Sequence, residues 1–97
     1  MKTVLRAAQA GTMESNDLMV IVEPGSGGIS IDLESIVSRQ YGAAIRATIA
    51  RVAAEMGLTD LNVKAVDKGA LDYAVEARTR TALGRALAPE TDGGRGK

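Results

Sequence analysis

Apolar residues come in short runs or alternate with polar ones over the first third of the chain, and beyond it they recur every three or four positions. The chain therefore reads as strands first and helices later. Val4 to Ala8 and Leu18 to Val22 are strand-like runs, and Gly11 to Asp17 is the loop between them. Pro24-Gly25-Ser26-Gly27-Gly28 is the strongest turn signal. After it Ile29, Ile31 and Leu33 alternate with Ser30, Asp32 and Glu34, which predicts a strand with one solvated face, paired as an antiparallel hairpin with the strand before it.

The period then becomes helical. With Ser35 as N-cap, Val37, Tyr41, Ala44, Thr48, Val52 and Met56 form a stripe that Ile45 and Ile49 widen, and Gly57 stops the helix in a left-handed conformation. Leu61, Val63 and Ala65 alternate with Asn62 and Lys64 as a further strand. Asp67 caps a second helix whose buried face is Leu71, Val75, Ala82 and Ala86, and Pro89 ends it. The order β-β-β-α-β-α predicts an α+β fold: a two-layer sandwich in which two helices cover one face of a small, mostly antiparallel mixed sheet. Residues 1–88 make this domain, and the polar, glycine-rich stretch 89–97 is expected to be a disordered tail.

Composition narrows the function. The 97 residues carry 12 Lys plus Arg against 12 Asp plus Glu, so no global field draws the chain to nucleic acid or an anionic membrane. Tyr41 and Tyr73 are the only aromatic residues, too few for a base-stacking platform. Without cysteine there is no disulfide framework and no thiolate metal site. The first residues show neither a signal pattern nor a membrane-spanning run, which makes a cytoplasmic location the expectation.

Histidine is absent as well, so Ser15 in Gly11-Thr12-Met13-Glu14-Ser15-Asn16-Asp17 has no evident base to activate it. If that hydroxyl has a role, it is as an attachment point; the alternative is an ordinary turn serine bonding local amides. Glu14 and Asp17 are hard oxygen ligands for a divalent cation or, more simply, loop carboxylates in turn bonds. No metal cluster converges elsewhere, and Asp67 and Asp72 are too far around a helix start to share a face. The glycines at 25, 27 and 28 precede an alternating strand rather than a helix, so they are not a phosphate-cradling loop. Arg39 and Arg46 point away from the apolar stripe, either as a solvated face or as a two-point clamp on carboxylates or phosphates.

Three segments carry a resemblance. Gly11 to Asp17 resembles the Gly-Thr-Leu-Glu-Ser-Gly-Asp segment of the gamma subunits of citrate lyase, the acyl carrier family of that complex. Arg39-Gln40-Tyr41-Gly42-Ala43-Ala44-Ile45-Arg46-Ala47-Thr48-Ile49 is similar to the family's helix with its Gln-Phe-Gly and Ala-Ile-Arg-x-Thr-Ile elements. Val66 to Asp72, followed by Glu76-Ala77-Arg78, is similar to its Asp-Lys-Gly-Ala-Leu-Asp and Ala-Arg elements. Met13 stands where the family has leucine, Asn16 where it has glycine, and Tyr41 where phenylalanine is common. Asparagine is the side chain best able to keep a left-handed turn at such a position.

The resemblance implies a protein that catalyses nothing by itself. It implies that Ser15 carries 2'-(5''-phosphoribosyl)-3'-dephospho-coenzyme A (phosphoribosyl-dephospho-CoA) through a phosphodiester made by a dedicated transferase. Acetyl and citryl thioesters on that group would pass between an alpha subunit, the acetyl-carrier:citrate transferase, and a beta subunit, the citryl-carrier lyase. Glu14, Asn16 and Asp17 would shape the loop for the transferase, and Arg39 and Arg46 would serve docking or phosphate contact. Carriers of citramalate lyase share these motifs, the carrier of malonate decarboxylase matches them less well, and a non-carrier adaptor on the same fold is the alternative of a different class.

Overall fold

The computed structural model describes residue 4, residues 6–36 and residues 38–87, without the side chains of residues 38–40. The expected tail 89–97 lies outside the described residues. Four strands and two helices follow in the expected order: β1 (Ala8–Gly11), β2 (Leu18–Pro24), β3 (Ile29–Ser35), α1 (Ser38–Glu55), β4 (Leu61–Asp67) and α2 (Asp72–Leu87). The fold is the expected two-layer α+β arrangement with a mostly antiparallel sheet. Strand β1 starts where the first predicted strand ends, and Val4 is buried in the core ahead of it.

The sheet order is β1-β2-β4-β3, which corrects the expected hairpin. Strand β4 lies between β2 and β3, antiparallel to the first and parallel to the second, so that Leu61 pairs with both Pro24 and Ile29. The glycine-rich segment therefore arches over the start of β4 and spans two strand spacings, about 9.5 Å. The arch is tied down where β4 enters: the Leu61 amide donates to the Gly28 carbonyl at 3.1 Å, and the Gly28 amide donates to Asp60 Oδ1 at 2.8 Å. Alternation along Ile29 to Leu33 reports which face is wet and carries no information about which strand is the neighbour.

Leu18, Val20 and Val22 of β2 and Leu61, Val63 and Ala65 of β4 point to the helical layer and are almost fully buried. Helix α2 packs over β1 and β2, and α1 packs over β3 and against α2. The buried line of α1 is Gly42, Ile45, Ile49, Val52 and Ala53, rotated from the predicted stripe; Tyr41 and Ala44 are exposed. Alanines and isoleucines spread around more than one side of this helix, so its period fixes a helix but not which edge turns inward. In α2 Val75, Ala82 and Ala86 are buried as expected, together with Thr79 and Leu83, whereas Leu71 precedes the helix and is exposed. The Thr79 hydroxyl is satisfied by the Val75 carbonyl at 2.7 Å.

Both helix boundaries differ from expectation at their starts. Ser35 closes β3 and the helix begins at Ser38, while α2 begins at Asp72 with the amides of Ala74 and Val75 bonded to the Leu71 carbonyl. Gly57 ends α1 as predicted, at φ 78°, with its amide on the Ala54 carbonyl and the Leu58 amide on the Ala53 carbonyl. On the outside, Arg51 and Arg80 interleave with Glu55 and Glu76 and clip α1 to α2.

Candidate functional site

The loop between β1 and β2 is built from its own polar side chains. Gly11 opens it at φ 97°, with the Leu18 carbonyl so close that an added Cβ would lie 1.9 Å from its oxygen. Thr12 Oγ1 donates to Asp17 Oδ2 at 2.6 Å and accepts from the Glu14 amide at 3.2 Å. The Asp17 amide donates to the Glu14 carbonyl at 3.2 Å, and the Leu18 amide donates to Asp17 Oδ1 at 2.7 Å. Asn16 takes φ 66°, the left-handed conformation that its residue type tolerates. These bonds leave Ser15 exposed at the turn, its hydroxyl engaged in no hydrogen bond among the described residues.

The loop is also pinned from outside. The Asn16 amide donates to the Lys68 carbonyl at 2.7 Å and the Lys68 amide donates to the Asp17 carbonyl at 2.8 Å, which continues the β2–β4 ladder past its last paired residues, Leu18 and Asp67. Two segments far apart in sequence, Gly11 to Asp17 and Asp67 to Asp72, thus meet at one end of the sheet. Asp67, almost fully buried, organises the second segment: Oδ1 accepts from the Ala70 amide at 2.9 Å, and Oδ2 accepts from Ser35 Oγ at 2.8 Å. Asp67 was expected to cap the helix; it holds the turn before the helix and ties that turn to the end of β3.

Arg78 of α2 completes the site. Its Nε donates to Asp17 Oδ1 at 3.1 Å and its Nη2 to Oδ2 at 2.8 Å, a two-point grip on the carboxylate. The guanidinium and the Thr12 hydroxyl, helped by the Leu18 amide, outweigh the cost of partial burial and hold the Asp17 carboxyl down at about 2, against an ordinary 3.8. Asp17 is therefore an anion at every physiological pH, with both oxygens occupied. That arrangement makes it a structural strut of the loop rather than a base or a cation ligand, and no group of three or more metal-ligating acidic side chains gathers among the described residues.

Of the residues singled out in the sequence, Glu14, Ser15, Asn16 and Asp17 share this loop. Arg46 is engaged elsewhere, its Nη1 donating to the Ile31 carbonyl on the outer strand at 2.7 Å, and the side chain of Arg39 lies outside the described residues. Arg78 and Thr12 were missed. The available signal was their place in the segments that carry the resemblance, Gly11 to Asp17 and Glu76-Ala77-Arg78, where neither was given a role. Beside the loop, between the start of α1 and residues 69–72, runs a groove of about 350 Å³ lined by Tyr41, Ala44, Ile45, Gly69, Ala70, Leu71 and Asp72.

Residues 5–86 match the family model described as ACP, malonate decarboxylase delta subunit. The citrate lyase acyl carrier protein of Halothermothrix orenii is 48% identical over 83 residues, covering 86% of this chain and 88% of that one. The citrate lyase acyl carrier protein of Fusobacterium nucleatum is 53% identical over 78 residues, covering 79% and 83%. Among solved structures, a Pseudomonas malonate decarboxylase hetero-tetramer in complex with malonate contains a chain that superposes with a TM-score of 0.75 at 23% identity, over 88% of both chains. That likeness extends to the fold.

Proposed function

The chain belongs to the acyl carrier family described by the malonate decarboxylase delta subunit, and from that membership we propose that it is the acyl carrier subunit of a citrate lyase complex, with Ser15 as the residue that bears the prosthetic group. Members of this family are carriers rather than enzymes, which agrees with a loop whose one strongly perturbed carboxylate is locked in ion pairing.

The observation that supports the assignment of Ser15 is its exposed, unengaged hydroxyl on a loop fixed on both sides. A free hydroxyl loses no internal bond when esterified, and a pinned loop presents it to an attaching enzyme in one geometry, without ordering cost at the encounter. The residues present thus fit a phosphodiester at Ser15 Oγ. Family membership implies a phosphopantetheine-like group; the form proposed is phosphoribosyl-dephospho-CoA, which supplies the thiol for acyl carriage that a chain without cysteine lacks. Thr12, Asp17 and Arg78 hold the loop, Asn16 sets its left-handed step, and Glu14 faces solvent beside the serine as a recognition element for the transferase. The chain has no histidine to take the hydroxyl proton, and on this reading the transferase supplies that base.

The proposed partners are the alpha subunit that exchanges acetyl for citryl groups and the beta subunit that cleaves the citryl carrier, in a cytoplasmic complex. No helix among the described residues is long and apolar enough to cross a membrane. The name of the matching family model favours a second reading, a malonate decarboxylase carrier. Identities of 42 to 53% to citrate lyase carriers weigh for the first.

The test is intact mass and peptide mapping of protein purified from its native host grown on citrate. The expected result is the added mass of the nucleotide arm on the Ser15 peptide, and its loss in Ser15→Ala with the fold unchanged by circular dichroism. An active lyase complex with bare Ser15, or a Ser15→Ala protein that still accepts the arm, would overturn the assignment.

A further inference from the structure

The groove between α1 and the segment before α2 opens directly beside the loop. Its wall at Gly69 is so near that an added Cβ there would lie 3.5 Å from Asn16 Oδ1, and the backbone next to it is bonded to Asn16 through the Lys68 carbonyl at 2.7 Å. Ala44, Ile45 and Ala70 line it with apolar surface, and Asp72 adds a carboxylate. Among its lining residues, Tyr41 and Leu71 are 56% and 60% exposed and so present an aromatic and an aliphatic surface to solvent at the groove. At about 350 Å³ it falls in the size range of small-molecule sites. An apolar trough flanked by an aromatic ring, with one acceptor, suits a flat heteroaromatic ring that stacks on one face and donates an N–H from its edge.

We propose that this groove receives the adenine base of the group carried on Ser15. The inference rests on the reading of Ser15 as the attachment site, and geometry chooses the base over the acyl end. The base stands a phosphate and two riboses from the serine oxygen, nearer than the pantetheine and its thiol, and the groove wall adjoins the residue next to Ser15. The diphosphates would be poorly solvated against Ala44, Ile45 and Ala70, and the thiol end must leave the carrier to reach two separate active sites. Because the base is tethered, its local concentration is on the order of millimolar, and an intrinsic Kd of about 1 mM is enough for half occupancy. Seating the base there turns the inner part of the arm into an extension of the domain surface and confines the swing to the pantetheine end.

The test uses the full-length loaded carrier, its loading verified by intact mass, and reads contacts by isotope-filtered NMR. Expected are nuclear Overhauser contacts from the adenine H2 and H8 protons to Tyr41 and to the Ile45 methyl groups. Amide shifts at Ala44, Ala70 and Leu71 should also differ from those of the unloaded protein. Tyr41→Ala should lose these contacts and narrow the adenine lines, with Ser15 loading by mass and circular dichroism unchanged, and Tyr41→Phe should retain them. A fully loaded carrier whose adenine resonances keep free-nucleotide linewidths, with no contact to the groove, overturns this proposal and leaves the attachment site intact. A bare Ser15 in native protein overturns both.

Discussion

Replacing Arg78 by methionine removes the guanidinium that grips Asp17 while keeping most of the aliphatic stem, so it measures what the grip contributes. The displacement of the Asp17 carboxyl from 3.8 to about 2 corresponds to a ceiling of about 2.4 kcal/mol at roughly 1.36 kcal/mol per pH unit, shared among Arg78, Thr12 and Leu18. The Asp17 side chain is 15% exposed but that of Arg78 is 41% exposed, so water screens the pair and Arg78 supplies only part of that ceiling. Because the carboxyl is depressed in the folded state, this stability is fully present above the unfolded value of 3.8 and is lost as pH falls through the folded value of about 2. Two assays read it. A carbon-detected NMR titration should give Asp17 a midpoint near 2 in the natural protein; in Arg78→Met it should rise toward 3.8 without reaching it, since Thr12 Oγ1 and the Leu18 amide still donate. Urea denaturation should show Arg78→Met weaker than the natural protein at pH 6, the gap closing as the pH is lowered toward 2. An Asp17 midpoint near 4 in the natural protein, or a stability gap unchanged between pH 6 and pH 2, would refute the reasoning.

Two further outcomes follow from the loop. Gly11→Ala should lose at least about 2 kcal/mol in urea denaturation, because its Cβ would lie 1.9 Å from the Leu18 carbonyl oxygen at a φ of 97°; a variant within about 0.5 kcal/mol of the natural protein would show that the backbone can yield there. Asn16→Gly should stay within about 0.5 kcal/mol of the natural protein, whereas Asn16→Val should cost about 1–2 kcal/mol, as φ 66° is strained for a β-branched residue; thermal melts that reverse this order would remove the conformational role assigned to Asn16.

Residues 29–35 show what periodicity delivers and where it stops. Their alternation gave the strand and its wet face, yet the neighbour of that strand was decided by β4, more than twenty residues downstream, which slips under the arch and displaces the expected hairpin. The same limit applies to α1, where a broad band of small and branched residues predicted the helix but left Tyr41 and Ala44 on the wrong side of the interface. At the site, the loop and its serine were legible because glycine, asparagine and the absence of histidine and cysteine each speak locally. Arg78 was not, because its role exists only once the fold carries α2 to within hydrogen-bond reach of a residue 61 positions earlier.

The last of the described strands, β4, is an interior strand of the finished sheet, lying between β2 and β3, and this imposes an order on synthesis. Until residues 61–67 have left the ribosome, β2 and β3 have no common partner, and most of the sheet must wait for contacts between distant parts of the sequence. The Lys68 backbone that pins Asn16 emerges just after, and Arg78 later still. A nascent or truncated chain therefore exposes Ser15 on an unshaped segment, and only the completed domain presents it in the pinned turn, so that a modifying enzyme selective for that turn would leave unfinished copies unmarked.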